Sequence, residues 1–141
     1  MTFDWNNFMS LAEYLKANCD DLNTAECIDR EATFRTIVNR AYYAAYNVAN
    51  QFAIKKFGEI VKGLDSDGSH SRLIKTFRCH DRENDKFADI AVKLGRIKNC
   101  RVDADYKQRF RDGHPNFAAH MTMRFSQKII SSLDSIENSA A

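Results

Sequence analysis

The chain has 141 residues, 44% of them hydrophobic, with 21 Lys and Arg against 19 Asp and Glu. That is one globular domain with enough apolar side chains for a core, and neither a disordered chain nor a strongly charged one. Five glycines and a single proline argue for long helices and against a sandwich, a barrel or a collagen-like repeat.

In chain order, the first helix is expected over residues 4–18, with Trp5, Phe8, Leu11, Ala12 and Leu15 on one face. Asn18-Cys19-Asp20-Asp21 reads as a turn. Asn23 with Glu26 three residues on reads as a capping box. It would open a long helix to Phe57, striped by Phe34, Ile37, Val38, Ala41, Ala45, Val48, Ala49 and Phe52. The three glycines between Gly58 and Gly68 mark a loop. Ser69 or Ser71 would cap a short helix carrying Leu73, Ile74 and Phe77. A further helix starts near Glu83, striped by Phe87, Ile90, Ala91, Leu94 and Ile97 and continued by Arg101 and Ala104. Gly113-His114-Pro115 breaks the chain, and Pro115 suits a first helical turn. The last helix carries Phe117, Met121, Phe125, Ile129, Leu133 and Ile136, and its tail from Asn138 is expected to fray. These elements make an all-α fold, an up-and-down bundle of four main helices plus one short helix, as a single domain over 1–141.

No apolar run approaches the ~18 residues that span a bilayer. The opening MTFDWNN lacks the basic start and apolar stretch of a secretory leader. A cytoplasmic protein with no membrane partner is expected. Cys19, Cys27, Cys79 and Cys100 contain no C-x-x-C pair, so they read as free thiols rather than a zinc site with His70 and His80. Neither a metal nor a cofactor is expected, since no P-loop, G-x-G-x-x-G, G-x-S-x-G or H-E-x-x-H occurs.

Charge is uneven. Residues 1–31 hold seven acids against two bases, whereas residues 93–111 hold seven bases against Asp103 and Asp105. Such a basic stretch can attract phosphate, but by itself it reads better as a solvated face or as a surface that pairs with the acidic end. Two segments are less ordinary. Arg101 continues an apolar stripe, where a lone guanidinium is costly unless paired with Asp103, Asp105 or Glu31. Asn39-Arg40-Ala41-Tyr42-Tyr43-Ala44-Ala45-Tyr46 places three tyrosines among small alanines on one helix, either as core packing or as the lining of an interface or cleft.

Taken with Ser69-His70-Ser71 and with Leu94-Gly95-Arg96-Ile97-Lys98-Asn99-Cys100-Arg101-Val102-Asp103-Ala104-Asp105-Tyr106, that run resembles the HEPN superfamily. The likeness is to its small stand-alone bacterial branch, with an R-A-Y-Y-A element and a later R-x-x-A-D-Y element. The resemblance implies a helical bundle and a homodimer with the motif helices facing each other. It also implies an RNA-directed activity, often a metal-independent endoribonuclease of toxin–antitoxin or phage-defence systems, sometimes partnered by a nucleotidyltransferase or an antitoxin. On this reading Arg101, Tyr106 and Asp105 are the catalytic candidates, and Arg40, Arg96, Lys98 and Asn99 contact nucleic acid.

The nuclease signature of that superfamily is R-x(4–6)-H, and here Tyr106 stands where the histidine belongs. Cleavage by the 2′-OH of RNA needs a proton acceptor and donor near neutral pH, and a phenol titrating near 10 is a poor base. Arg109 and His114 form a literal R-x4-H, but at a helix end and outside that register. His70 and His120 are further candidates if the fold brings them to Arg101, whereas His80 beside Asp81 and Arg82 reads as a loop residue. The alternatives are a non-catalytic dimer that binds RNA or nucleotide or partners a nucleotidyltransferase, with Tyr106 as a site of nucleotide attachment, and a purely structural helical adaptor.

Overall fold

The computed structural model describes residues 2–58, 60, 68–111 and 113–139. Among them are six helices, α1 (Asn6–Ala17), α2 (Cys19–Ala25), α3 (Arg30–Phe57), α4 (Ser69–Cys79), α5 (Asp85–Tyr106) and α6 (Pro115–Ser139). The all-α bundle is as expected, with one helix more. Asn18–Asp21, read as a turn, instead leads into α2, and α3 starts at Arg30 rather than at Asn23. The cap of α3 is Asp29, whose carboxylate accepts the Ala32 N–H at 2.9 Å. Asn23 lies in α2, and its amide donates to the Ile28 carbonyl at 2.9 Å. Cys27, at φ 56°, makes the left-handed reversal between the two helices. Similarly, no serine side chain caps α4, whose cap residue is Gly68. Asn84 caps α5 through the Lys86 N–H at 2.9 Å. Gly58 ends α3 at φ 85°, where a glycine costs least. Most of the loop expected between Gly58 and Gly68 lies outside the described residues, as do the last two residues of the tail; the rest of that tail, Asn138 and Ser139, is helical.

α3 is the centre and touches every other helix. Its alanines explain why. Ala41, Ala44, Ala45, Ala49 and Ala53 are fully buried, and their small side chains let neighbours approach on several sides. The contacts give the directions. Arg35 and Phe52 of α3 meet the C-terminal and N-terminal ends of α5, so α3 and α5 are antiparallel. Arg96 meets Met121 and Lys86 meets Ser135, so α5 and α6 are antiparallel too. Glu13 meets Gln127 while Asn6 lies near Asp134, which sets α1 against α6 in the same sense. The result is an up-and-down bundle with α4 added along α3 and α5.

Two cores run through it. One joins α1, α3 and α6 around Met9, Ile37, Val38 and Ala119, and reaches α5 at Cys100 and Ala104. The other joins α3, α4, α5 and α6 around Tyr42, Phe52, Phe77, Phe87 and Ile129. The expected α5 stripe from Phe87 to Ala104 is buried throughout, Arg101 included. Phe117 departs from the expected stripe of α6 and is 52% exposed. Cys19 and Cys100 are buried and Cys27 and Cys79 exposed, all four as free thiols. Among the described residues no three His, Cys, Asp or Glu side chains converge on one point, and no helix is long and apolar enough to cross a membrane.

Asp103 and Asp105 point to different sides of α5, as their spacing requires. Burial pushes the Asp103 carboxyl up, but hydrogen bonds from the Arg111 side chain and backbone, with its charge, outweigh this and hold it below the usual carboxylate range. A carboxyl held low contributes stability above its ordinary value and loses it as pH falls. Arg111→Ala should therefore cost about 1–2 kcal/mol at pH 7, the lower part of the range because Arg111 is half exposed. The cost should fade below a pH of about 4, which parallel chemical denaturation at pH 7 and pH 3 would read.

Candidate functional site

The tyrosine run of α3 and the basic run of α5 meet across the second core. Asn39, Tyr42, Tyr43 and Tyr46 are spaced as one helix face, and so are Lys98, Arg101 and Asp105. The antiparallel packing of α3 on α5 brings those faces together, and α4 closes the third side with His70 and Ser71.

Arg101 lies at the centre and is only 7% exposed. Its guanidinium carbon is 5.4 Å from the ring centroid of Tyr42, 5.8 Å from that of Tyr43 and 5.9 Å from that of Tyr106. Such a cage stabilises a desolvated cation. Of the three carboxylates expected to pair with it, Asp105 does, at 3.8 Å. Asp103 is taken by Arg111 and Glu31 by Arg35. Asp105 is itself held by the Asn39 amide at 3.1 Å. Arg101 Nε is buried without a hydrogen-bond partner. A buried charged donor left unpaired in a folded protein is expensive, and it suits a group that awaits an anion.

His70 is the histidine that reaches this centre. Its Nδ1 is hydrogen-bonded to the Tyr42 hydroxyl, and its ring centroid lies 4.3 Å from that of Tyr46. Burial first, then the charges of Arg101 and Lys98, lower its pKa to about 4, so the ring is neutral at pH 7. Burial raises the Tyr42 phenol well above its ordinary value, against the pull of Arg101. Lys98 completes the group, with Nζ donating to the Ser71 hydroxyl at 2.9 Å. The sequence offers His70 as a cap or surface residue, and as a candidate only if the fold brings it to Arg101. The fold does bring it there, because α4 packs its first turn on the tyrosines.

The remaining candidates divide. Tyr106 ends α5, 73% exposed, at the rim. Arg40 donates to the Asn39 side chain at 2.8 Å and lies over the Phe8 ring at 4.4 Å. With Arg35, Asn39, Asp105 and Tyr106 it borders an open hollow of about 580 Å³. Asn99 is exposed on the neighbouring face of α5. Arg96 faces α6, with its guanidinium near Phe125 and Met121, away from this centre. His120 and His114 lie together on another surface with Lys16 and Phe117, and His80 pairs with Glu83 at 2.9 Å.

Arg35, unremarked in the sequence, holds the rim in place. Its Nη1 donates to the carbonyls of Asp103, Ala104 and Lys107 at 2.8–3.0 Å, and its Nη2 to that of Gln108 at 2.8 Å. It thus caps the carbonyl end of α5 with a positive charge. Arg35→Met should cost about 1.5–3 kcal/mol and speed amide exchange at Tyr106 and Lys107, while the first turns of α5 stay protected.

The fold and the site together define a helical-bundle protein with a buried, tyrosine-caged cationic centre. The chain matches no protein-family model, no curated protein and no solved structure.

Proposed function

We propose that this is a HEPN-like, RNA-directed protein whose centre binds the phosphate backbone at Arg101, and that it acts as a metal-independent endoribonuclease. The observation that carries the reading is the buried Arg101 guanidinium with an unpartnered Nε, grouped with Lys98 and His70 and opposed by one carboxylate. Arginine in such a setting stabilises the charge that builds on a phosphate in the transition state. His70, on α4, supplies the imidazole that the position of Tyr106 lacks. Tyr106 and Asp105 then shape the rim, and Tyr106 can donate a hydrogen bond.

A homodimer fits the same reading. Val92, Gly95, Asn99, Val102 and Tyr106 follow a four–three spacing along α5, the seam of a helix pair. Val92 is 58% exposed, and space around Gly95 is open. Two such helices packed together would set two Arg101 centres side by side.

The second reading is a non-catalytic dimer that binds RNA and serves a nucleotidyltransferase or antitoxin. The exposed Tyr106 hydroxyl favours it, since that group is free to accept a nucleotide. A cleavage assay on total RNA and tRNA in excess EDTA decides between the two. Cleavage by the parent and none by Arg101→Ala supports the nuclease. No cleavage by a folded dimer rejects it, and RNA binding with a steep salt dependence then supports the second reading.

A further inference from the structure

We propose that His70 takes up a proton when an anionic phosphodiester is seated against Arg101 and Lys98, so that the centre binds its ligand and a proton together. This rests on the phosphate-site reading above and adds a coupling to it. The geometry is a closed set of groups around one imidazole. From α3 the ring faces Tyr42, Tyr43 and Tyr46, at centroid distances of 5.5, 6.1 and 4.3 Å. From α5 it faces Lys98 and Arg101, with Asp105 beyond Arg101. On α4 itself Ser71 holds Lys98 nearby, and Arg72 follows with its Nε buried and unpartnered.

The two cations of α5 are what an incoming anion neutralises. After burial, they are what opposes a positive charge on His70. A phosphodiester between them cancels much of that positive field, and the proton affinity of the imidazole rises. The hydrogen bond already made by Nδ1 accommodates the change. Nδ1 and the Tyr42 hydroxyl already share a hydrogen bond, in which Nδ1 is the acceptor when the proton of the neutral ring sits on Nε2. The protonated ring donates from Nδ1 to the same oxygen, and its Nε2–H stays free for the ligand. The added proton comes from solvent, and no covalent bond changes.

By linkage, a ligand that raises the proton affinity of His70 binds more tightly as pH falls between the bound and free titration points. The probe is thymidylyl-thymidine, which has one phosphodiester, no 2′-OH to be cleaved and no group of its own that titrates in this range. Its affinity should rise about tenfold from pH 7 to pH 5. The NMR titration point of His70, assigned by its loss in His70→Gln, should climb by about two pH units when the probe is saturating. Calorimetry of the unmodified protein in buffers of different ionisation enthalpy should show proton uptake on binding, which needs no variant to fold. His70→Gln should flatten the pH dependence. If the dinucleotide binds and Arg101→Met abolishes that binding, yet the His70 titration does not move, the coupling is overturned and the phosphate site stands. If the dinucleotide does not bind at any pH, both fall.

Discussion

Arg101→Met is expected to abolish phosphate binding and leave the protein as stable as before or more so. Methionine fills a similar volume without a charge, and replacing buried ions by apolar side chains is often neutral or stabilising by about 1–4 kcal/mol. Against that gain stands the loss of the tyrosine cage, worth about 0.5–2 kcal/mol, though a methionine still packs against those rings. The ion pair with Asp105 is long, at 3.8 Å, and among the described residues Nε has no partner. Asp105 keeps its hydrogen bonds from Asn39 and its contact with water, so it is not stranded as a buried charge. On the proposed nuclease reading activity moves the other way, because removing a preorganised donor to a developing oxyanion lowers rates by about 100–1000-fold. Arg101→Lys should rescue only in part, since an ammonium lacks the planar fork that grips two oxygens. Thermal melts beside RNA binding and cleavage test this together. A large drop in melting temperature with RNA binding intact would mark Arg101 as a piece of scaffold and overturn the proposed site.

The largest loss of stability is expected from Phe77→Ala, far from the charged centre. Phe77 is fully buried, and its ring lies 6.2, 5.9 and 5.7 Å from those of Phe52, Phe57 and Phe87. Emptying that position should cost about 3–5 kcal/mol, and a chain of this size should then melt on the order of 10 °C lower. The effect should reach the site as well. Phe77 and Leu73 are the buried anchors of α4 on α3 and α5, and α4 carries His70 at its first turn. With the anchor gone, His70 should leave Tyr42, and the amides of α4 should exchange before those of α5. RNA binding should fall with them. Unchanged protection across α4 would show that its seat does not depend on the phenylalanine cluster.

Much of this arrangement is legible along the chain. The apolar stripe of α5 reads through without a break from Phe87 to Ala104, and every member is buried. The stripe makes Arg101 visible as an anomaly before any fold is known. Helix ends marked by glycine or proline were also readable, as at Gly58 and Pro115, because those residues act through their own backbone. The start of α3 was not. Asn23 and Glu26 have capping-box spacing, but Asp29 caps the helix instead, because a separate helix, α2, occupies residues 19–25. Two sets of side chains offered competing local caps, and packing chose between them.

His70 marks the same boundary at the site. From sequence alone the chain determined its class, its main helices and the presence of a charged residue on a buried face, since these depend on periodicity within one helix. Which carboxylate meets Arg101, which histidine stands beside it and which arginines face elsewhere were decided only by the tertiary structure. Asp105 is four positions from Arg101 on its own helix, but the contacts that draw Asp103 and Glu31 elsewhere and seat His70 depend on the packing, with Tyr42 and His70 28 positions apart and Arg35 and Gln108 73 apart. They depend on how three helices are rotated against one another, and no periodicity within a single helix encodes that rotation.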